Sequence, residues 1–183
     1  DSTQSLTTST WYHNAVTFNM SGDAQIYING NTDNSGPIEN PQTSWNTGDR
    51  FIGEGEGYWD GRISNLSIWN TALTSAQVTE IYNEGVPSNL NNHSAYSNLV
   101  SWWQLGSNSS FNTNWTVLDE KGSNNGTSVN MTEADIVDGV GSSANGLSSG
   151  MGGDEVIGSA PFSDANSLSI NMDVLDRVTD TPS

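Results

Sequence analysis

Cysteine is absent from all 183 residues. That excludes a disulfide framework, a zinc–thiolate site and a cysteine nucleophile. It does not assign a compartment, because an extracellular domain with a sufficient core needs no cross-links. Cations are nearly absent as well: Arg50, Arg62, Lys121 and Arg177 stand against 21 carboxylates, for a net charge of −17. Such a surface repels phosphate backbones and anionic headgroups, so neither nucleic acid nor a membrane is an expected partner. It suits a protein that must stay dispersed, with self-repulsion lowered where ionic strength is high. No apolar run approaches the ~20 residues that span a bilayer, and no leader-like stretch opens the chain. The first residue is Asp1 rather than Met, as expected of a processed product or a fragment. Hydrophobic residues make up 33% and charged residues 14%; the remainder is rich in Ser, Thr, Asn and Gly. Short strands with polar outer faces and many turns have this composition.

The strand pattern is clearest near the start. Over Trp11–Phe18, residues Trp11, His13, Ala15 and Thr17 alternate with Tyr12, Asn14, Val16 and Phe18. Aromatic and β-branched residues at period two specify a half-buried strand. A break at Ser21-Gly22-Asp23 precedes a second strand, Ala24–Ile28. Asn29-Gly30 closes it, a hairpin dipeptide because both residues tolerate positive φ. A polar loop with Pro37 and Pro41 follows, then a short strand at Arg50–Gly53. A Gly-rich aromatic loop, Glu54–Gly61, leads to a strand at Ile63–Trp69.

One short helix is expected over 74–84. Thr74 is its N-cap, and Gln77 stands three residues on, the capping-box spacing. Leu73 and Val78 occupy staple positions, Val78, Ile81 and Tyr82 form an apolar stripe, and Gly85 and Pro87 end the helix. Residues 91–98 have linker composition. Strands are then expected at Leu99–Leu105 and Trp115–Leu118. From Gly139 to Gly158 the chain is mostly Gly and Ser, read as flexible or as an extended arm ordered only by its neighbours. Leu168, Ile170, Met172, Val174, Leu175 and Val178 mark a final strand or a strand turning into a short helix.

These motifs resemble a known family. Trp11–Phe18 followed by Ile26–Gly30 is similar to the W-x-H-x-A-x-T … Y-x-N-G hairpin of laminin-G-like and pentraxin-like domains. Phe51-Ile52-Gly53 and Trp59–Trp69 resemble the I-G … F-x-G-x-I-x-x-V-x-I-W segment, and Asn70–Val78 the closing A-L-S-x-x-E-I helix. Several motifs in order over about eighty residues carry fold information that a single short motif does not. The resemblance implies an all-β fold: an antiparallel, jelly-roll β-sandwich of the concanavalin A-like, laminin-G-like kind. It would carry one short helix and an extended Gly/Ser-rich C-terminal region.

Leu99–Leu105, with Val117-Leu118-Asp119-Glu120-Lys121-Gly122-Ser123-Asn124-Asn125-Gly126, then looks like the opening of the same family. The expected organisation is a later half-sandwich over 1–90, a linker over 91–98, opening strands over 99–138 and an arm over 139–183. Strands that would precede Trp11 in a whole domain are missing. Exposed edges are aggregation templates, so another chain must supply them, or the C-terminal part must fold back in permuted order, or upstream residues were lost. In style, the Asn/Gly/Ser-rich stretch from Gly126, including Ala160–Leu168, resembles structural proteins of marine bacteriophages.

Candidate sites follow from residue type and place. Trp45, Tyr58 and Trp59 lie in or beside Gly-rich loops, where aromatics stack on sugar faces; for Trp59 the favoured reading is the buried aromatic that the resemblance implies before G-x-I. Calcium is the family's common ion, and Asp23, Asp49 and Asp60 are turn carboxylates of the right chemistry, although Asp favours turns without any ion. Glu133-Ala134-Asp135-Ile136-Val137-Asp138 approaches the E-x-D-x-x-E of sandwich glycosidases, which present two carboxylates on one strand face. Its last position is Asp138 rather than Glu, and the reading adopted is a solvated acidic strand end. The two histidines, His13 and His93, lack metal-ligand spacing, and His13 is expected on a sheet face, bonded to a neighbouring strand. N-x-S/T triplets such as Asn65-Leu66-Ser67 and Asn114-Trp115-Thr116 are expected by chance in so Asn-rich a chain.

The resulting expectation is a non-enzymatic, surface-exposed structural or binding module with no cofactor, calcium being the one candidate ion. It would be a virion component (capsid decoration, fibre or tail), located at a virion surface or extracellularly. Its partners would be other virion proteins, copies of itself and host-surface glycans. A secreted carbohydrate-binding module of a marine bacterium and a fragment of a glycan hydrolase are the alternatives.

Overall fold

A computed structural model describes residues 2–19, 22–37, 50–52, 61–106, 108–138, 145–149, 155–158 and 167–176, with the backbone alone at 50–51 and from 137 onward. The strands are β1 Trp11–Asn19, β2 Asp23–Ile28, β3 Asn31–Pro37, β4 Arg50–Ile52, β5 Gly61–Trp69, β6 Leu99–Trp103, β7 Ser110–Asn112 and β8 Asn114–Val117. They continue as β9 Gly126–Val129, β10 Ile136–Asp138, β11 Asn145–Ser149, β12 Glu155–Gly158 and β13 Ser167–Asp176. One helix, α1 Ser75–Tyr82, is joined to β6 by short 3-10 turns. All strand pairs are antiparallel, in an eight-stranded sheet ordered β10-β11-β5-β13-β1-β2-β3, with β6 also on β5, and a five-stranded sheet ordered β4-β12-β9-β8-β7.

The expected alternation of β1 is observed. His13, Ala15 and Thr17 are buried on one face, while Tyr12 and Phe18 pack from the other into the core between the sheets. Asn29 (φ 50°) and Gly30 (φ 74°) form the two-residue turn to β3. β3 itself was expected to be loop, since Asn31–Pro37 has no apolar side chain. It is an edge strand held by backbone pairing with β2, where polar residues and a terminal proline are tolerated.

β5 is the central strand, and it changes faces midway. Asn65 adopts φ 53° and breaks the register against β13, the mark of a β-bulge. Ile63 and Leu66, three residues apart, therefore enter the same core together with Ile68. That core lies between the sheets and includes Trp103, Leu105, Trp115, Val117 and Met131. A second core covers the opposite face of the larger sheet, where Tyr27, Trp69, Leu99 and Trp102 meet Leu73, Val78 and Ile81 of the α1 region, with Leu90 and Ala95. The larger sheet is thus buried on both sides. The expected capping box of α1 is present, with Thr74 and Gln77 bonded reciprocally.

Strands from the C-terminal part of the chain join the larger sheet. β13 runs along β1 from Trp11↔Leu175 to Asn19↔Ser167 and pairs on its other side with β5. Of the two readings for this segment, the strand is the one observed. β11 pairs with β5 and β10, and β12 with β9 and β4, so these parts of the Gly/Ser-rich arm are ordered by neighbours.

Candidate functional site

Trp45 and Asp49, in 38–49, and Tyr58, Trp59 and Asp60, in 53–60, lie outside the described residues. The roots of both segments are described. Segment 38–49 runs from the end of β3 to the start of β4, and 53–60 from the end of β4 to Gly61 of β5. Arg50 and Ile52 are two residues apart, so the two segments attach to one short strand at points only ~7 Å apart. β4 is the edge of the five-stranded sheet, paired with β12. Asp23 is exposed at the head of β2, directly opposite Pro37. It therefore stands at the root of the segment that carries Trp45 and Asp49. Among the described residues no group of three or more His, Asp or Glu is placed to hold a metal, and no helix there is long and apolar enough to cross a membrane.

The acidic motif has a different geometry from the one its spacing suggested. Glu133–Asp135 is a 3-10 turn, not strand, and Ile136–Asp138 follows as β10. Asp135 is 7% exposed and accepts from the backbone N–H and hydroxyl of Thr132. Glu133 is exposed. The two carboxylates do not share a strand face: one caps a turn while the other meets solvent. The solvated strand end expected for this motif holds for Glu133 but not for Asp135.

His13 lies on the sheet face, as expected, yet both of its ring nitrogens are buried without a hydrogen-bond partner. Its ring packs against that of Tyr82, with centroids 5.8 Å apart, rather than bonding a neighbouring strand. Burial lowers its pKa to about 4 from 6.5.

His93 belongs to a cluster that the sequence did not announce. Its Nδ1 accepts the Ala95 N–H at 3.0 Å, which leaves the proton of the neutral ring on Nε2. That nitrogen lies 3.0 Å from the Gln77 carbonyl and 3.5 Å from the Glu80 carboxylate, with the ring centroid 4.6 Å from Trp69. Glu80 accepts both the N–H and the hydroxyl of Ser94. Desolvation pushes the Glu80 pKa up, but the Ser94 bonds and nearby His93 outweigh it and hold it below the ordinary value. The residue types suggest a Ser-His-acid array, but Ser94 donates to the carboxylate and not to the imidazole. The cluster fastens α1 to the turns before β6.

The second unannounced feature is a carboxylate hub. Asp119 is 7% exposed. Its Oδ1 accepts from Trp102 N at 2.9 Å and Lys121 N at 3.1 Å. Its Oδ2 accepts from Asn124 N at 3.2 Å and Asn124 Nδ2 at 3.3 Å. Burial raises the Asp119 pKa, but the N–H groups of Trp102, Gly122 and Lys121 and the Ser101 hydroxyl bring it below the ordinary value. Lys121 then closes over the Tyr96 ring, 3.5 Å from its centroid. All acceptor directions of this carboxylate are spent on protein donors, so it orders the loop and has none left for a ligand.

Residues 1–79 match the sequence profile of the concanavalin A-like lectin/glucanases superfamily, laminin-G type. No curated protein and no solved structure matches the chain.

Proposed function

With residues 1–79 matching the sequence profile of the concanavalin A-like lectin/glucanases superfamily, we propose that the chain is a non-enzymatic, lectin-like binding module. Its glycan contact is made by the two segments rooted on β4. The superfamily's sandwich fits a binding module, and the observation that carries the placement is topological. One three-residue edge strand holds both segments that contain the candidate aromatics, Trp45 and Tyr58. Aromatic rings delivered from adjacent roots form a stacking platform for a sugar face. Asp23, at the root of the first segment, adds a carboxylate that would take part in calcium binding together with Asp49 and Asp60.

The setting we propose is the surface of a virion, as a decoration, fibre or tail component presented in many copies. A net charge of −17 keeps such copies apart in solution, and repeated weak glycan contacts add by avidity. A secreted bacterial module would bind through the same loops without the assembly. The hydrolase reading has the geometry of Glu133 and Asp135 against it, because a retaining or inverting pair must flank one bond.

A glycan array probed with the full chain, with and without calcium, tests the binding. Trp45→Ala and Tyr58→Ala should each weaken a bound glycan about tenfold, on the order of 1.4 kcal/mol. Absence of any bound glycan, or undiminished binding by both variants, would overturn the reading. Electron micrographs showing the chain in a symmetric assembly would separate the virion setting from the secreted one.

A further inference from the structure

The two cores differ in how completely their polar groups are satisfied. Between the sheets, the Trp103 indole N–H donates to the Asn124 carbonyl at 2.7 Å, and that of Trp115 to Thr132 at 2.8 Å. On the face covered by α1, the Trp102 indole N–H and both nitrogens of His13 have no partner. Buried groups left in this state cost free energy that water would return on opening. Among the described residues, the helix layer therefore holds three of the four buried side-chain polar atoms without a partner. His13 is 4% exposed and roofed by Tyr82, the last residue of α1, so its nitrogens meet water when the helix end moves away.

We propose that α1 is an acid-released flap: a proton on His13 lifts the helix from the eight-stranded sheet and uncovers Tyr27, Trp69 and Trp102. A neutral imidazole fits the apolar layer, whereas an imidazolium without an acceptor does not. Among the described side chains, none around His13 accepts a hydrogen bond from its ring. From α1, the phenol ring of Tyr82 faces it, while Glu80 is engaged with Ser94 and His93. From the β2–β3 turn, the Asn29 side-chain oxygen is taken by the His13 backbone N–H. On β1 the flanking residues are Tyr12 and Asn14, and Glu84 is exposed beyond the helix. On β13, Asp173 stands opposite His13 in register.

The sign follows from the direction of the shift. The released state titrates near 6.5 and the closed state at about 4, so the released state takes up the proton first as pH falls. Stability of the closed flap is complete above about 6.5 and declines down to about 4. Over that window the released-to-closed ratio rises by up to about 300-fold.

The experiment uses the full chain between pH 7 and 4, with near-UV circular dichroism for the tryptophans and binding of an apolar dye for the uncovered face. A loss of tryptophan signal with dye binding is expected as pH falls, with far-UV signal retained, and His13→Phe should abolish the step. NMR titration of the two histidine rings in the wild type provides a reading that does not depend on the variant folding: His13 should titrate below 5, together with the optical step. No step in the wild type, an unchanged step in His13→Phe, or His13 titrating between 6 and 7 would each overturn the proposal. Loss of the step in Asp173→Asn would do so too, because the titrating group would then be the carboxylate.

Discussion

Replacing Asp119 by Ala should be among the most costly polar changes in this chain. The carboxylate accepts four hydrogen bonds from Trp102, Lys121 and Asn124. One donor, the Trp102 N–H, sits on a buried residue in β6, where water cannot replace the lost acceptor. An orphaned buried donor costs about 1–3 kcal/mol. The other three donors belong to the partly exposed loop and lose roughly 0.5–1 kcal/mol each once water takes over. Relief of the carboxylate's own desolvation offsets part of this, which leaves a net loss of about 3 kcal/mol. With a urea m-value of about 2 kcal/mol per molar, the unfolding midpoint should fall by about 1.5 M. Asp119→Asn keeps one acceptor but turns an NH2 toward N–H donors, so its loss should be intermediate. Gly122→Ala should produce a milder version, since its Cβ would lie 2.8 Å from Asp119 Oδ2 and 3.3 Å from the Val100 carbonyl. The carboxylate's pKa is lowered from 3.8 by folding. The part of its contribution linked to ionisation is therefore present above that value and is lost as pH falls through the folded pKa, so the gap between wild type and Asp119→Ala should narrow in acid. A midpoint shift below about 0.5 M in Asp119→Ala would refute the hub, as would a gap that widens in strong acid.

Two further substitutions probe how α1 is seated. Gly30→Ala places a side chain at φ 74°, with Cβ 2.9 Å from Tyr82 Cδ1. Left-handed backbone and the contact together should cost about 2 kcal/mol in thermal or urea unfolding. Thr74→Ala removes the capping box and should cost about 1 kcal/mol, with the helix end frayed in amide exchange.

Features set by near neighbours were legible in the sequence. Period-two burial in β1, the Asn29-Gly30 turn and the Thr74–Gln77 cap each depend on residues a few positions apart. β3 was not legible, because its stability lies in pairing with β2 and not in its own polar side chains. The same limit hid the roles of Asp119 and His13. A carboxylate in a Gly/Asn-rich loop reads as a solvated turn, and only the donor from Trp102, seventeen residues away in sequence, makes it a buried hub. For His13, the strand face could be read from alternation. That nothing on that face would offer its nitrogens a partner could not, since the roof is Tyr82 from α1. Of the candidate site, the residue types were readable, and the fold adds where their segments are rooted.

The placement of β13 bears on the segment that the superfamily profile matches. Residues 1–79 contain β1 through β5 and the start of α1, yet β1 and β5 are not neighbours in the sheet. The space between them is filled by β13, which pairs with both. Without it, the two longest strands of the matched segment would each present an open edge, the condition that leads sheets to recruit other chains. The strands of residues 1–79 are therefore joined in the larger sheet by a strand from far downstream in the chain. Both faces of the larger sheet depend on this closure. Trp69 and Ile68 of β5 lead into opposite cores, and β13 fixes the register of the strand that carries them.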